Sequence, residues 1–366
     1  MFGVCVCPVE VSVVWESLRG HHRQVEMFRR AIRRGRLAHA FLLVGPPGIG
    51  KRTFALRVTQ CLFCTRHPPE DLQACGECPA CKQVLAHSHP DLMLVNKPEG
   101  RAELPIDLLI GAPDRRGREG LCHDLALRPM SAMRRVAIID DAETMNDAGA
   151  NALLKTLEEP PSGSVMFLIV PETESILTTI RSRCHQVLFS PLPSNDLTDL
   201  ILQEGIAPDR DAAQLLASLS DGSLATASQL QSGDWRSVRE RVCRELAAKD
   251  LDSQATAALL LATMEELGGD PASQRRSALW LVRFMVDFYR QLLGVDTGGS
   301  TAETALITPV RQNAAGDLIC DDRWGLMLER CLTAEMNLSA SMPIPLCLEA
   351  LCHDLGRIGR GALLTV

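Results

Sequence analysis

Short apolar runs alternate with helix-period segments along the first half of the chain. Apolar runs bounded by glycine, proline or charged residues predict buried strands at 40–44, 91–95, 134–140, 164–170 and 185–189. The intervening periodicity predicts helices at 15–36, 50–63, 146–159 and 176–184. Such alternation predicts an α/β domain with a doubly wound parallel sheet and helices on both faces. The polar, Gly-, Pro- and Arg-rich segment 96–120 is expected to be an exposed loop around a short helix near 105–110.

The pattern changes after PLPS at 191–194, and no convincing strand pattern follows. Two or three short helices are expected within 195–231 and longer amphipathic helices beyond 235, including one at 275–294, with a polar Gly/Thr-rich interruption at 294–304. The apolar start VCVCPVEVSVV is expected to be frayed or strand-like. We therefore predict three domains: an α/β domain at 1–190, a small helical domain at 191–232 and an all-α domain at 233–366.

Composition limits the class of protein. The 366 residues suggest two or three domains, and 46% hydrophobic with 23% charged residues is typical of a folded globular chain. The sequence lacks any run of ~18 uncharged apolar residues, so no membrane span is predicted and the cytoplasm is the expected compartment. The net charge of −7 argues against a generally DNA-coating protein, although residues 1–60 carry ten basic and three acidic side chains, a local +7.

A glycine-rich turn follows the first predicted strand and opens a helix. Gly45-Pro-Pro-Gly48-Ile-Gly50-Lys51 has the spacing and context of a phosphate-binding P-loop, in which backbone N–H groups and a lysine surround phosphate oxygens. An active P-loop next places Ser or Thr on Mg²⁺, whereas this chain has Arg52, which has no lone pair for a metal. Thr53 is expected to point elsewhere. Phosphate binding is therefore expected, and Mg²⁺-assisted hydrolysis is not.

The third predicted strand ends in two acids, Asp140 and Asp141. Asp140 stands where a P-loop site holds the metal or its water, and Asp141 stands where such ATPases usually have the base that polarises water. Because Asp is a methylene shorter than Glu, it misplaces the attacking water. A purely structural role, capping the following turn, is the alternative for both.

Five of the fourteen cysteines cluster between 61 and 81. Cys64, Cys75, Cys78 and Cys81 have a spacing that suits tetrahedral thiolate zinc, and four thiolates leave no open position, so the predicted site is structural. Cys61 remains an alternative to Cys64. The zinc module is expected at about 61–82, and the scattered cysteines are expected to be small core residues.

Taken together, several segments resemble the bacterial clamp-loader subunits of DNA polymerase III, an AAA+ family. The resemblance is strong over roughly 15–190 and weak beyond. It is carried by HAFLLVGPPGIGK, CTRHPPEDLQACGECPACKQV, HPDLMLV, RRVAIIDDAETMNDAGANALLKTLEEPP and TIRSRC. It implies that Arg183, in Ser-Arg-Cys, acts as an arginine finger in a neighbouring active site. From sequence alone, a surface ion pair is the other interpretation of Arg183.

The chain departs from the pattern of the hydrolysing gamma/tau motors at four points. Arg52 and Asp141 are two of them; Val170-Pro171 replaces sensor threonines, and Ala225 replaces a sensor arginine. These losses beside a retained arginine resemble a delta-prime-type member, a stator without hydrolysis of its own. The residues assigned to the expected nucleotide site, which these departures make vestigial, are Gly45, Gly48, Gly50, Lys51, Arg52, Thr53, Asp140 and Asp141.

The resemblance implies that 1–190 is the AAA+ P-loop domain, 191–232 its lid and 233–366 a collar domain for oligomerisation. It also implies partners and cofactors. It implies a hetero-pentamer with gamma/tau and delta subunits that places a sliding clamp on primed DNA, with structural zinc and with ATP or ADP bound but not hydrolysed. Two alternatives stay open: an active gamma/tau-type ATPase, and a zinc-bearing nucleic-acid-binding protein with a vestigial P-loop.

Overall fold

The computed structural model describes residues 15, 18–98, 101, 103–231, 235–248, 251–267, 271–294, 301–313, 318–340 and 342–361. The predicted strand-like N-terminus lies outside these residues, as do parts of the 96–120 and 294–304 segments. The chain divides into two compact units, one formed by 1–205 with 220–227 and the other by 206–219 with 228–366. The predicted three-domain boundaries stay a prediction.

The first unit is built on a parallel sheet of five strands. They are β1 (Ala40–Val44), β2 (Leu92–Val95), β3 (Arg135–Ile139), β4 (Ser164–Val170) and β5 (His185–Leu188), in the order β2-β3-β4-β1-β5. All pairs are parallel, with Ala40 opposite Met166 and Phe41 opposite His185. β1, β3 and β4 are buried along their whole length, because helices cover both faces.

Eight helices of this unit lie around the sheet or follow it within the described residues. They are α1 (His22–Arg33), α2 (Lys51–Phe63), α3 (Pro79–Leu85), α4 (Ile106–Ile110), α5 (Leu121–Ala126), α6 (Asp147–Glu158), α7 (Thr178–Arg181) and α8 (Ser194–Gln203). One core joins α1, α2 and α3 to alternate strand residues such as Phe41 and Phe167. The opposite core joins α4 to α7 to the other alternates, such as Leu42 and Leu168. The predicted α/β fold with helices on both faces is confirmed.

Some predicted elements differ in extent. α1 begins at His22, and Leu18–Gly20 forms a turn instead of helix. The helix predicted over 176–184 is wrong in length: Leu177 is extended and only Thr178–Arg181 is helical. α3 and α5 were not predicted, because helices of six or seven residues are too short to establish a period. The short helix near 105–110 is confirmed as α4, and segment 301–304 is helical instead of irregular.

The second unit is helical. Its described elements begin with α9 (Arg210–Leu219), and α10 (Leu224–Gln231) passes into it from the first unit. The long helices are α11 (Trp235–Leu246), α12 (Ser253–Leu267), α13 (Pro271–Leu292), α14 (Thr301–Asn313), α15 (Leu318–Ser339) and α16 (Ile344–Gly359). A single core of Trp, Phe, Leu and Cys side chains joins them, with Phe284 and Leu355 fully buried. The prediction that no strand follows 194 is confirmed for the described residues.

None of the helices in the described part of the chain is both long enough and apolar enough to cross a bilayer.

Candidate functional site: a phosphate-binding loop, a cysteine cluster and an exposed arginine

The glycine-rich loop lies between the carboxyl end of β1 and the first turn of α2. Gly48 and Gly50 have φ values of 74° and 97°, in the left-handed region that L side chains rarely adopt. A Cβ atom on Gly48 would also lie 2.8 Å from the Cβ of Ala225. The loop is tied to the sheet because the Gly45 N–H donates to the Val170 carbonyl at 3.2 Å. Glycine at these positions therefore allows both the turn of the loop and the close approach of Ala225 to it.

Lys51 is buried at the first position of α2, with 6% of its surface exposed. Its Nζ donates to the Pro46 carbonyl at 2.7 Å and to the Gly45 carbonyl, so the ammonium lies inside the loop. Burial lowers the pKa of Lys51, against the opposing effect of the Asp140 and Glu143 carboxylates. The structure therefore places the Lys51 ammonium inside the glycine-rich loop, bonded to two of its carbonyl groups.

Arg52 turns toward the acidic end of β3. Its Nη1 lies 3.5 Å from Oδ2 of Asp140, and both side chains are partly exposed. The guanidinium thus meets the carboxylate that would hold a metal or its water, and it repels a divalent cation. Thr53, by contrast, has an exposed side chain.

Three carboxylates converge at the end of β3. Asp141 has a left-handed φ of 51°, and its backbone N–H donates to Oδ1 of Asp140 at 3.2 Å. Burial and the neighbouring Asp141 raise the pKa of Asp140, although Arg52 and Lys51 oppose this. Burial likewise raises the pKa of Glu143, whose buried Oε2 has no hydrogen-bond partner among the described residues. The site is acidic, and two protein cations face it.

Two further segments form the walls of the loop. His21 is 1% exposed, and its Nε2 lies 2.7 Å from the Ile49 carbonyl. Burial lowers the pKa of His21, which favours the neutral imidazole. On the other side the Ala225 N–H lies 3.5 Å from the Gly48 carbonyl. Ala225, which was predicted to occupy a lost sensor position, therefore lies against the P-loop.

The four cysteines predicted to bind metal lie together. The Sγ atoms of Cys64, Cys75, Cys78 and Cys81 are all within 4.8 Å of one another. Cys64 and Cys75 are 3.8 Å apart and Cys75 and Cys81 are 4.0 Å apart. Tetrahedral Zn–S bonds of about 2.3 Å require sulfurs about 3.8 Å apart, so the cluster could hold a metal ion.

Backbone N–H groups donate to two sulfurs of this cluster. The Cys78 N–H donates to Sγ of Cys75 at 3.3 Å, and the Cys81 N–H donates to Sγ of Cys78 at 3.4 Å. Although burial acts in the opposite direction, hydrogen bonds from Thr65 and Cys81 lower the pKa of Cys78 to about 6. Cys61 stands apart from the cluster, and burial raises its pKa. Of the two alternatives, Cys64 is the one the structure places with the others.

Arg183 lies just beyond α7, and its side chain is 35% exposed. Its Nη2 lies 2.6 Å from Oε1 of Glu158, and its Nη1 donates to the Thr179 carbonyl at 2.9 Å and to Oγ of Ser182 at 3.2 Å. The adjacent Cys184 is half-buried, and burial raises its pKa to about 12, which leaves it a poor nucleophile.

Known proteins identify the family. The delta' subunit of DNA polymerase III from Escherichia coli is 32% identical over 300 residues, covering 80% of this chain and 84% of that protein. The chain belongs to the DNA polymerase III delta' family. The delta' subunit of Pseudomonas aeruginosa is 37% identical over 63% of this chain and 66% of its own length. A family profile described as "DNA polymerase III, delta subunit" matches residues 20–193.

Solved structures include a gamma-subunit-related protein of DNA polymerase III from Thermotoga maritima. It is 17% identical, covers 92% of this chain and all of its own, and has a TM-score of 0.41. By its identity to the delta' subunits of Escherichia coli and Pseudomonas aeruginosa, the chain is a delta'-type component of DNA polymerase III, as the resemblance implied.

Three contributors to the site were not predicted. His21 and Glu143 reach the P-loop from segments whose sequence resembles an ordinary helix start and a turn. Glu158 meets Arg183 across 25 residues of chain, a pairing with no local sequence signal. The acidic pair in LLKTLEEPP was the visible feature that could have suggested a partner for an arginine.

Proposed function

We propose that this chain is a non-hydrolysing stator of the clamp loader, which supplies Arg183 to the nucleotide site of the adjacent motor subunit. Its partners are the gamma/tau and delta subunits in a hetero-pentamer, and through them the sliding clamp and primed DNA. It works in the cytoplasm, where bacterial DNA is replicated.

The observation that carries this proposal is the Arg52–Asp140 ion pair. Mg²⁺ requires about six oxygen ligands at roughly 2.0–2.1 Å, and a guanidinium at the metal-binding carboxylate supplies none and repels the ion. ATP or ADP is held by the loop glycines and Lys51 without being cleaved. The alternative, an active gamma/tau-type ATPase, would need Mg²⁺ where the Arg52 guanidinium lies.

The position of Arg183 supports its proposed action on the nucleotide site of the adjacent motor subunit. Hydrolysis builds negative charge on the γ-phosphate, and an inserted arginine stabilises that charge, with an effect of about 10³–10⁵ on rate in well-studied switches. The side chain is 35% exposed, and its Nε has no acceptor among the described residues. In the proposed assembly this exposed part of the guanidinium contacts the partner's phosphate.

The four-cysteine cluster holds zinc in this proposal. Soft thiolates favour zinc over magnesium or calcium, and the four sulfurs close the tetrahedron, so the metal supplies structure and no chemistry. The ion would be held by Cys64, Cys75, Cys78 and Cys81.

Two measurements test the proposal. The purified chain alone should show no Mg²⁺-dependent ATP turnover, and brisk turnover would overturn the stator assignment. In a loader reconstituted with the motor and delta subunits of the same organism, Arg183→Ala should lower DNA-stimulated ATPase while assembly is retained. The matched control is Arg181→Ala, two residues away and paired only loosely with Glu174 at 3.9 Å. Equal ATP turnover in the Arg183→Ala and Arg181→Ala variants would exclude the proposed role of Arg183 as an arginine finger.

A further inference from the structure

A basic groove runs along the outer edge of the sheet, on the side where β5 has no neighbouring strand. This α1–β5 groove has a volume of about 720 Å³ and is lined by Arg23, Arg30, Arg34 and Arg36, with His22 and His185 beside them. It lies within the first unit and shares no residue with the P-loop, the cysteine cluster or Arg183. The proposed function does not use it.

The charge of the groove is not neutralised by the chain itself. Its one acid, Glu26, is occupied by Arg29 and Arg30, at 2.9 Å each. The side chains of Arg23, Arg34 and Arg36 are exposed and pair with no acid among the described residues. In a chain whose net charge is −7, three unpaired arginines in one groove form a local site for an anion.

The spacing of these arginines suits a polymer better than a small anion. Arg23 and Arg30 lie on α1 and Arg34 directly follows its last residue, at helical spacing, and the first and the last of the three are 11 positions apart. At 1.5 Å per residue the row is about 16 Å long, which corresponds to roughly five nucleotides of one strand at 3.4 Å each.

Two details favour nucleic acid over an acidic peptide. A peptide would add a strand to the free edge of β5, but Nε2 of Gln24 already donates to the Leu188 carbonyl at that edge, at 2.6 Å. The groove also offers planar groups on which a base can stack. The imidazoles of His22 and His185 are exposed, and aromatic rings and guanidinium planes stack on bases.

We propose that the α1–β5 groove binds the sugar–phosphate backbone of DNA directly, as a contact of this chain's own. Arg23, Arg34 and Arg36 carry the phosphate contacts. Each such contact releases a counterion, so binding weakens with salt.

The test uses the full-length chain and a fluorescein-labelled 20-nucleotide single strand, with anisotropy read between 50 and 200 mM NaCl. The variant Arg23→Ala/Arg34→Ala/Arg36→Ala should bind at least tenfold more weakly. Its salt slope should be shallower by about 2, because each lost contact to a single strand contributes about 0.7.

The matched control removes the same charge elsewhere. Arg116→Ala/Arg118→Ala/Arg128→Ala changes three exposed arginines outside the groove, and its affinity should stay within twofold of the unmodified chain. Equal weakening by both triple variants would show that net charge alone is acting and would overturn the proposal. A 20-base-pair duplex as competitor separates single-stranded from double-stranded DNA as the source of the phosphates.

Polyglutamate of equal charge distinguishes a peptide ligand. Competition by polyglutamate as strong as that by DNA would assign the groove to an acidic protein and overturn the proposal. Should the triple variant not fold, hydrogen exchange of the unmodified chain still decides: DNA should protect 22–36, and a footprint elsewhere would refute the site. The Arg183 experiment is independent, because it measures ATP turnover in the assembled loader and needs no groove residue.

Discussion

Replacing Asp91 by Asn should destabilise the first unit more than any exposed substitution. Asp91 is fully buried and accepts hydrogen bonds from the backbone N–H groups of Met130, Ser131 and Ala132 at 2.6, 2.8 and 2.8 Å, and from the Ser131 hydroxyl at 3.2 Å. Nε of the buried Arg135 lies 3.6 Å from the same carboxylate. The contact joins the start of β2 to the segment that leads into β3.

The magnitude follows from what Asn cannot do. An amide keeps one acceptor oxygen but turns an NH₂ group toward backbone N–H donors. A hydrogen bond to a charged group contributes about 1.5–3 kcal/mol, and breaking a buried pair costs about 3–5 kcal/mol. Since the contacts share one carboxylate and are not additive, we expect Asp91→Asn to lower the free energy of unfolding of this unit by about 3–4 kcal/mol. That is a large part of the ~5–15 kcal/mol typical of a domain.

The pH dependence gives an independent check. Burial raises the pKa of Asp91, but the backbone hydrogen bonds outweigh it, so the folded pKa lies below the ordinary value. The stabilisation is therefore fully present above the unfolded pKa of about 3.9 and is lost as pH falls through the folded pKa. The difference between Asp91→Asn and the unmodified chain should stay constant from pH 6 to 8 and shrink only below about pH 4.

Urea unfolding read by pulsed hydrogen exchange at β2 and β3 measures this unit separately from the helical one. Exposed Asp107 on α4 offers the control, because Asp107→Asn should change stability by less than about 0.5 kcal/mol. A loss below about 1 kcal/mol for Asp91→Asn, or a difference that already halves between pH 8 and pH 6, would refute the reasoning.

Three other variants address the sites. Arg52→Ser should increase the Mg²⁺ dependence of nucleotide binding in calorimetry, because it removes the cation that faces the Asp140 carboxylate; unchanged Mg²⁺ dependence would contradict that role of Arg52. Glu158→Gln should lower ATP turnover of the assembled loader several-fold by loosening the finger arginine, whereas the adjacent, exposed Glu159→Gln should leave turnover unchanged. Cys64→Ser should abolish zinc in the purified chain by metal analysis, whereas Cys61→Ser should retain it, and the reverse result would reassign the ligand.

Much of the fold could be predicted from the sequence because its signals are local. The strands at 40–44 and 164–170 match β1 and β4 residue for residue, since a strand buried on both faces is apolar along nearly its whole length. The helix at 176–184 could not be bounded in this way. Its apolar residues Ile176 and Ile180 are spaced four apart as in a helix, yet Ile176 belongs to an extended segment whose burial comes from tertiary packing.

The candidate sites show the same contrast between features set by local sequence and features set by tertiary packing. The P-loop and the four cysteines were predictable because their residues lie close together in sequence and their spacing reflects backbone geometry. The pairings Arg52–Asp140 and Glu158–Arg183 were not, because charged side chains separated by 88 and 25 residues meet only once the sheet has formed. The sequence indicated that the loop lacks the usual Ser or Thr after its lysine, and the structure adds that the Arg52 guanidinium faces the Asp140 carboxylate.

One helix connects the two sites. α2 starts at Lys51, inside the glycine-rich loop, and ends at Phe63, directly before Cys64, the first of the four clustered cysteines. Its 13 residues span about 20 Å, and an ion held by the four sulfurs would fix the far end of the helix. Any coupling between the two proposed sites is reciprocal: if stripping the ion with a chelator weakens nucleotide binding, bound nucleotide should strengthen ion binding by the same free energy.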